Sequence, residues 1–268
     1  MKLSTATELL KRAGIEEART EARILFEKIA KIPRSDLYGV DCESDSKKLT
    51  EAIERRIKRE PLQYILGEVD FYKEKYKVSP DTLIPRPDTE ILVDEVVKRL
   101  PRGARFIDIC TGSGCIALST LNNTRGTTAV AIDISAGALR IAKENAKNLS
   151  LSERAEFIEA DALSYLADGS FFAVVSNPPY VTSGAYENLM PEIYFEPKIA
   201  FVGGDDGLIF YRKILSLYEN SLENDGFFAF EIGYDQAAAL TTLAKEHSMK
   251  IEIKTDYSGN QRVAILRK

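Results

Sequence analysis

The chain has 268 residues, of which 44% are hydrophobic, and this is enough apolar material to bury one large core and a smaller second one. A net charge of −5, three cysteines without CxxC spacing and a single histidine argue against a broad basic nucleic-acid surface, a zinc or other metal site and a histidine-based triad. No apolar stretch approaches the about 18 residues of a membrane helix, and no signal-peptide core is present, so we expect a protein of the reducing cytoplasm with no membrane partner.

Charge is unevenly distributed along the chain. Residues 1–80 carry a net charge of +2, and the remainder carries −7. Residues 46–60 contain six basic side chains, which favours a solvated helix face over a contact surface, with a contribution of residues 47–59 to substrate docking as the alternative.

The first part of the chain has the periodicity of helices. Apolar residues recur at three- and four-residue spacing between residues 4 and 60, which predicts a small helical bundle. Prolines and a glycine then bracket residues 61–80, where 69–72 and 75–78 are predicted to pair as a short hairpin.

From about residue 84 the pattern changes to alternating strands and helices. Short apolar runs at 105–109, 129–132, 155–159, 171–175 and 226–232 predict strands, and 136–148 is the clearest helix. This alternation is typical of a doubly wound, mostly parallel sheet. Strands predicted at 250–254 and 262–266, separated by a turn cluster, close the chain as an antiparallel hairpin at the sheet edge.

A glycine-rich turn follows the first of these strands. Gly112 and Gly114 open a GxGxxA pattern that leads into a helix, and Asp133 lies 21 residues beyond Gly112. Glycines allow the backbone to approach a ligand closely, and an acid at this distance suits ribose hydroxyls. The pattern is compatible with NAD or with another nucleoside cofactor.

The sequence Asn177-Pro178-Pro179-Tyr180 directly follows the fourth predicted strand. Ligands of open parallel sheets bind beyond the carboxyl ends of the strands, so this tetrapeptide is placed where a substrate binds. The two prolines keep the chain out of a helix, which leaves the Asn177 amide and the Pro178 carbonyl free to accept hydrogen bonds from a substrate amino group. Tyr180 offers a flat face to a planar group.

These motifs together resemble the class I S-adenosylmethionine-dependent methyltransferases that act on a planar amino or amide nitrogen. The terminal hairpin agrees with this resemblance, and NAD becomes the less favoured cofactor. Further segments are similar to the release factor glutamine methyltransferases, the PrmC/HemK family, over nearly the full chain. These segments are PLQYILG at 61–67 with Phe71-Tyr72, IPRPDTE at 84–90, Glu196-Pro197 with GDDGL at 204–208, and EIGYDQ at 231–236.

The resemblance implies an α/β fold, with a mostly parallel seven-stranded sheet of the class I methyltransferase type. It further implies a helical substrate-recognition domain over residues 1–66, a β-hairpin connector over 67–83 and the methyltransferase domain over 84–268. The implied substrate is the glutamine of a Gly-Gly-Gln loop in peptide-chain release factors. We expect a monomer with no stably bound nucleic acid. A nucleic-acid adenine-N6 methyltransferase is the leading alternative, and a non-enzymatic nucleoside-binding module is a third possibility.

The resemblance also assigns site residues. Asn177, Pro178, Pro179 and Tyr180 are the implied catalytic residues, with Asn177 and the Pro178 carbonyl holding the substrate amide and Tyr180 stacking on it. The residues implied to bind S-adenosylmethionine are Asp108, Cys110, Thr111, Gly112, Ser113, Gly114, Asp133, Asp161, Ala162 and Asn177.

Individual roles follow from the same resemblance. Asp133 is assigned to the ribose, and Asp161 and Ala162 to the adenine. Asp108 either orients the loop, the favoured role, or meets the methionine amino group. Arg86 is either a substrate contact or a clamp on the 196–207 loop.

Two positions depart from the family pattern. Cys110 stands where glycine is usual, and Ala162 stands where an aromatic residue is frequent. Because Gly112 and Gly114 are kept, we expect reshaped cofactor contacts rather than lost activity.

Overall fold

Four helices form near the N-terminus, where apolar residues recur at helical spacing. The computed structural model describes residues 1–38 and 41–268. The helices are α1 (Leu3–Arg12), α2 (Ala18–Lys28), α3 (Lys47–Ile57) and α4 (Leu62–Leu66). Their apolar faces bury Leu10, Leu25, Phe26 and Ile53 completely. Ser46 caps α3 by accepting a hydrogen bond from the Leu49 amide at 3.3 Å.

These helices belong to a compact unit that also contains a distant segment. The unit comprises Met1–Val69 and Met190–Phe195. Arg56 and Arg59 of the basic stretch donate to the Glu192 carboxylate at 3.1 and 2.7 Å, and Arg56 also donates to Glu21 at 2.6 Å. The prediction of a solvated face over 46–60 is therefore wrong for Arg56, whose side chain is buried among carboxylates.

The second unit comprises Asp70–Leu189 and Glu196–Lys268. The strands β1 (Glu68–Phe71) and β2 (Glu74–Lys77), which precede the main sheet in the chain, form a two-stranded sheet. Each lies within one residue of its predicted position. The sequence did not indicate that the 190–195 segment separates from its neighbours and joins the N-terminal helices.

The second unit is built on a seven-stranded sheet with the order β5-β4-β3-β6-β7-β9-β8. Its strands are β3 (Arg105–Ile109), β4 (Thr128–Asp133), β5 (Ala155–Glu159), β6 (Phe171–Ser176), β7 (Leu222–Glu231), β8 (Lys250–Thr255) and β9 (Gln261–Arg267). Strands β3 to β7 pair in parallel, and β9 runs antiparallel between β7 and β8. The doubly wound class I methyltransferase fold is thus confirmed.

Helices connect and cover these strands. They are α5 (Glu90–Arg99), α6 (Cys115–Asn122), α7 (Ala136–Asn148), α8 (Ser183–Tyr186), α9 (Ile209–Tyr218) and α10 (Ala237–Glu246). Short 3-10 helices occur at Arg34–Leu37, Pro87–Thr89, Pro191–Phe195 and Lys198–Ala200. The core contains Val174, Tyr211, Phe228 and Phe230, which are fully buried. Among the described residues, no helix has the length and apolar character needed to cross a membrane.

The bounds of most predicted elements agree with the structure. Helix α7 has the predicted bounds, whereas β7 begins four residues before its predicted start at 226. The early part of β7, with sequence Leu-Glu-Asn-Asp-Gly, lacks an apolar run, and its pairing with β6 shifts register between Phe171 and Ala173. Tertiary pairing therefore extends the strand where the local pattern does not.

Candidate active site

A cavity of about 290 Å³ lies at the carboxyl ends of the central strands. Because β3, β4, β5 and β6 are parallel neighbours, the loops that follow them meet at one edge of the sheet. The volume is near the lower end for small-molecule sites. Predicted site residues that line the cavity are Cys110, Gly112, Asp133, Asp161, Ala162, Asn177 and Pro179.

The two glycines after β3 serve different purposes. Gly112 has φ +57°, and a Cβ atom added there meets nothing within 4 Å, so a side chain would project into open space beside the cavity. Gly114 has φ +80°, and a Cβ atom there would lie 3.2 Å from the side chains of Leu118 and Ala142. Gly112 therefore leaves room for a ligand, whereas Gly114 permits α6 to pack closely on α7.

Cys110 occupies a backbone conformation that favours glycine. Its φ is +62°, and its side chain contributes to the cavity wall. Burial raises the pKa of its thiol well above the ordinary value, with the carboxylates of Asp133 and Asp108 adding to the effect. The departure from the family pattern thus adds a thiol to the wall at a residue whose backbone has a positive φ.

Asp133 ends β4 and organises the loop around the cavity. Its Oδ2 accepts from the Gly112 amide at 2.8 Å, and its Oδ1 accepts from the Ser135 amide at 2.9 Å. Burial raises the pKa of the carboxyl, and these backbone hydrogen bonds oppose the shift. A carboxylate has about four lone-pair positions, so Asp133 keeps the capacity to accept from two hydroxyl groups of a ribose.

Asp161 and Ala162 follow β5 and form another part of the wall. The Asp161 Oδ1 accepts from the Leu163 amide at 2.8 Å, which holds the turn. Ala162 is buried against the main core. Their assignment to the adenine remains a prediction that is compatible with this placement.

Asp108 is fully buried and does not line the cavity. Its Oδ2 accepts from the Thr111 hydroxyl at 2.6 Å and from the Ala117 amide at 3.2 Å. Burial raises the pKa of Asp108 to about 7. These contacts support the loop-orienting role for Asp108. Thr111, Ser113 and Gly114 also lie outside the cavity lining, so among these loop residues the structure brings only Cys110 and Gly112 to the wall.

Only some of the residues in the tetrapeptide after β6 line the cavity. Asn177 and Pro179 line the cavity, whereas Pro178 is buried outside its lining. The Tyr180 hydroxyl points away to donate to the Glu231 Oε1 at 3.3 Å, and burial raises the Tyr180 pKa further above its ordinary value. Tyr180 is outside the lining of the cavity, so its stacking on a substrate amide remains a prediction.

Arg86 donates through Nη2 to the Oε1 of Glu196. The Glu196 side chain is almost fully buried, and its Oε2 accepts from the Ile84 amide at 2.9 Å. Ile84 and Arg86 therefore both donate to Glu196, at the start of the loop that contains residues 196–207. This geometry supports the clamp role for Arg86 over the substrate-contact role.

Several residues that line the cavity were not predicted from the sequence. The additional lining residues include Asp81, Thr82, Leu83, Ile134, Ser135, Pro197, Ile199, Ala200 and Phe210. Pro197 belongs to a family motif, and Ile134 and Ser135 directly follow Asp133, so the sequence positions of these three residues indicate that they lie near the site. Residues 81–83 lie in a loop and residues 199–200 in the short 3-10 helix Lys198–Ala200, and no periodic pattern in the local sequence indicates that either segment lines the cavity.

The residues present fit a nucleoside cofactor. Gly112 leaves open space beside the wall, Asp133 supplies hydroxyl acceptors, and Ala138, Ala162, Leu163 and Phe210 supply apolar surface for a base.

Comparison with known proteins identifies two matching domain families and a protein of similar fold. Residues 86–196 match the family described as methyltransferase small domain, and residues 2–67 match the PrmC N-terminal domain. A crystal structure of the ribosomal protein L11 methylase from Lactobacillus delbrueckii subsp. bulgaricus is similar in fold, with a TM-score of 0.53 and 19% identity over 71% of this chain and 83% of that one. The fold and the matched domains define a methyltransferase.

Two curated relatives narrow the class to a family. The release factor glutamine methyltransferase of Caulobacter vibrioides is 37% identical over 98% of this chain and 93% of its own length. That of Thermodesulfovibrio yellowstonii is 41% identical over 92% of both chains. The chain belongs to the release factor glutamine methyltransferase family.

Proposed function

We propose that this protein transfers a methyl group from S-adenosylmethionine to the side-chain amide nitrogen of the glutamine in the Gly-Gly-Gln motif of peptide-chain release factors. The observation that carries the proposal is the position of Asn177: in a chain that matches this family over nearly its full length, its side chain lines the cavity suited to the cofactor. The adenine-N6 alternative has no observation of its own in its favour.

The chain's own residues explain how the cofactor is held. When bound, S-adenosylmethionine supplies an electrophilic methyl group. Asp133 would accept from the ribose hydroxyls, Asp161 and Ala162 would flank the adenine, and the backbone from Cys110 to Gly114 would hold the methionine portion. Asp108 holds that loop from beneath through Thr111 and the Ala117 amide.

Positioning supplies much of the rate. A glutamine amide nitrogen is a weak nucleophile because its lone pair is delocalised into the carbonyl, so its alignment with the sulfonium methyl carbon at about 3 to 3.5 Å would matter most. The Asn177 Oδ1 and the Pro178 carbonyl accept the two amide hydrogens and stabilise the positive charge that develops on nitrogen. The single histidine, His247, is paired with Glu219 at 2.5 Å and does not line the cavity, so no imidazole base takes part.

The remaining parts of the proposal concern partners and location. The N-terminal helical domain provides contacts to the folded release factor, and the enzyme acts as a monomer in the cytoplasm without stably bound nucleic acid. The acidic balance of residues 81–268 supports the absence of stably bound nucleic acid, and the free thiols of Cys110 and Cys115 support the cytoplasmic location.

Mass spectrometry of a purified release factor tests the proposal. Incubation with this protein and S-adenosylmethionine should add one methyl group to the Gly-Gly-Gln peptide. Asn177→Ala should lower kcat by about a hundredfold or more, a much larger factor than the rise in cofactor Kd, because its main role is nucleophile alignment. Methylation of a DNA or RNA adenine with an unmodified release factor, or normal turnover by the Asn177→Ala variant, contradicts the proposal.

A further inference from the structure

The side chain of Gln236 joins three loops at the edge of the sheet where the cavity lies. Gln236 directly precedes α10 and is 9% exposed. Its Nε2 donates to the Tyr180 carbonyl at 3.1 Å and to the Gly207 carbonyl at 3.2 Å, and its Oε1 accepts from the Gly233 amide at 2.9 Å. One carboxamide therefore connects the end of the tetrapeptide, the 196–207 loop and the loop that follows β7.

The chemistry of these partners determines the orientation of the carboxamide. A backbone amide can only donate a hydrogen bond, and a backbone carbonyl can only accept one. The side-chain oxygen of Gln236 must therefore face the Gly233 amide, and its NH₂ group must face the two carbonyls. With the carboxamide reversed, its oxygen would lie opposite two oxygens and its nitrogen opposite an N–H group.

The contacts around this carboxamide are close. A Cβ atom at Gly207 would lie 2.3 Å from the Tyr180 carbonyl oxygen and 2.7 Å from the Gln236 Nε2, and one at Gly233 would lie 3.1 Å from the Gln236 Oε1. The two glycines thus allow the backbone to approach the carboxamide. An apolar side chain at position 236 would leave these carbonyls without this donor, which is costly for buried polar groups.

The carboxamide is connected to the cavity through the tetrapeptide. Pro179, which lines the cavity, directly precedes Tyr180. Prolines lack an N–H group, so Pro178 and Pro179 cannot hold the tetrapeptide by donating backbone hydrogen bonds. Hydrogen bonds to the carbonyls of the tetrapeptide therefore matter more, and the bond from Gln236 to the Tyr180 carbonyl is of this kind. Gln236 itself does not line the cavity, so any effect on the reaction passes through these neighbours.

We propose that Gln236 is a positioning residue for methyl transfer, whose NH₂ group holds the Tyr180 carbonyl and thereby keeps Asn177 in place at the cavity. The same NH₂ group holds the Gly207 carbonyl, so the tetrapeptide and the loop beside it are held together. The proposal rests on the proposed function, and it adds to the site a residue outside the cavity lining.

Two substitutions separate the hydrogen bonds of Gln236 from its volume. Gln236→Met keeps a side chain of similar length but removes the donors, and Gln236→Glu keeps the shape but places a carboxylate oxygen opposite two carbonyls. At about pH 8, each variant that circular dichroism shows folded should have a kcat about tenfold or more below the wild type. The cofactor Kd should stay within about threefold, and KM for the release factor should rise by a smaller factor than kcat falls.

The pH dependence of Gln236→Glu provides a readout that a loss of packing alone would not change. Burial should raise the pKa of the introduced carboxyl. As the pH falls from about 8 to about 6, this carboxyl gains a proton and can again donate to one carbonyl, so kcat relative to the wild type should rise by about threefold or more. Gln236→Met has no such group, and its relative kcat should stay constant within about twofold. Equal pH dependence in the two variants overturns the proposal.

Other titratable and charged groups surround this position. The Tyr211 hydroxyl lies 3.3 Å from the Gln236 Oε1. The segments that meet there also carry Tyr180, Asp206, Arg212, Glu231, Asp235 and Arg262. Each variant is therefore compared with the wild type at the same pH.

Gln261→Glu is the matched control. Gln261 is the first residue of β9, is exposed and does not line the cavity. The variant contains the same chemical change and has the same net charge as Gln236→Glu. Its kcat should equal the wild-type value within about twofold at both pH values.

Amide hydrogen exchange is a second measurement that does not depend on activity. The Val181 amide donates to the Phe201 carbonyl and the Gly203 amide donates to the Val181 carbonyl, both at 2.8 Å. These two amides therefore report on the contact between the segment after the tetrapeptide and the neighbouring loop. Both should exchange faster in Gln236→Met than in the wild type and in Gln261→Glu.

A measurement on the wild type covers the case in which the variants do not fold. The side-chain NH₂ protons of Gln236 should exchange with solvent more slowly than those of the exposed Gln261, because they are held by two carbonyls. Equal exchange of the two side chains overturns the proposal.

The outcomes separate this proposal from the proposed function. A wild-type enzyme that does not methylate the release factor contradicts the proposed function, and the exchange of the Val181 and Gly203 amides then still decides whether Gln236 holds the tetrapeptide. An active wild type with full activity in Gln236→Met overturns the positioning role. Unchanged exchange of both amides in that variant overturns it as well.

Discussion

Asp108 combines complete burial with only partial hydrogen bonding. Its Oδ2 accepts two hydrogen bonds, whereas its Oδ1 is buried without a partner among the described residues. A charged carboxylate in this position is costly, and the cost appears as the pKa raised to about 7. The residue that supports the glycine-rich loop therefore links the stability of the protein to pH.

The sign of this linkage follows from the two pKa values. Between the ordinary value of 3.8 and about 7, Asp108 holds a proton in the folded protein and loses it on unfolding, so stability falls as pH rises through this range. Asp108→Asn should lose less stability over the same range, with a difference from wild type of at most about 1.4 kcal/mol per pH unit.

Urea unfolding at pH values from about 5 to about 8 measures this difference. Asp133 and Glu231 also have pKa values raised by burial, and both residues remain in the variant. Parallel stability curves for the wild type and Asp108→Asn contradict the prediction.

At the scale of elements, the loop after Glu196 is held against the segment that contains residues 177–181 by backbone contacts. The Val181 amide donates to the Phe201 carbonyl at 2.8 Å, and the Gly203 amide donates to the Val181 carbonyl at 2.8 Å. A Cβ atom at Gly203 would lie 2.4 Å from the Pro179 carbonyl oxygen. The φ of Gly203 is not in the left-handed region, so its backbone conformation does not require glycine. Glycine is needed at this position because there is no space for a Cβ atom.

Gly203→Ala should therefore displace either the loop or the tetrapeptide. We expect a loss of about 1 to 3 kcal/mol in the free energy of unfolding, together with reduced methyl transfer, because a backbone atom cannot move aside as a side chain can. Gly184→Ala in α8 is the control, since nothing lies within 4 Å of the added Cβ atom. Urea unfolding and initial rates should distinguish the two variants, and equal behaviour of both contradicts the prediction.

At the scale of the whole molecule, the cavity at the carboxyl ends of the strands belongs to one unit and the 190–195 segment to the other. Every residue that lines the cavity lies in the second unit, whereas Glu192 forms its ion pairs with Arg56 and Arg59 of the first. Removing the N-terminal helices therefore has two separable effects: it removes the proposed substrate contacts, and it leaves the Glu192 carboxylate without its partners.

A chain lacking residues 1–66 should bind S-adenosylmethionine with a Kd within about threefold of the full-length value, provided that circular dichroism shows it folded. Its methylation of the release factor should be largely lost. Limited proteolysis should cut near residues 190–195 faster than in the full chain, because that segment has lost its ion pairs. Glu192→Ala in the full-length protein should show the faster cleavage alone. A folded truncation with full methylation activity contradicts the substrate-recognition role.

The sequence by itself determined the elements and the motif-bearing loops. Helical spacing over the N-terminal residues, strand-length apolar runs and the bounds of α7 are local properties, which depend on side chains a few residues apart. Parallel strands then bring Gly112, Asp133 and Asn177 to one edge by topology, so their shared cavity followed from three local motifs.

The tertiary structure alone decided the contacts between distant residues. Asn177 meets Thr89 across 88 residues, Arg86 meets Glu196 across 110, and Arg56 meets Glu192 across 136. Such pairs produce no periodic pattern in the sequence, because the number of residues between two loops does not indicate whether those loops are in contact. The favoured role of Arg86, the inward direction of the Tyr180 hydroxyl and the attachment of the 190–195 segment to the N-terminal helices were therefore set by packing.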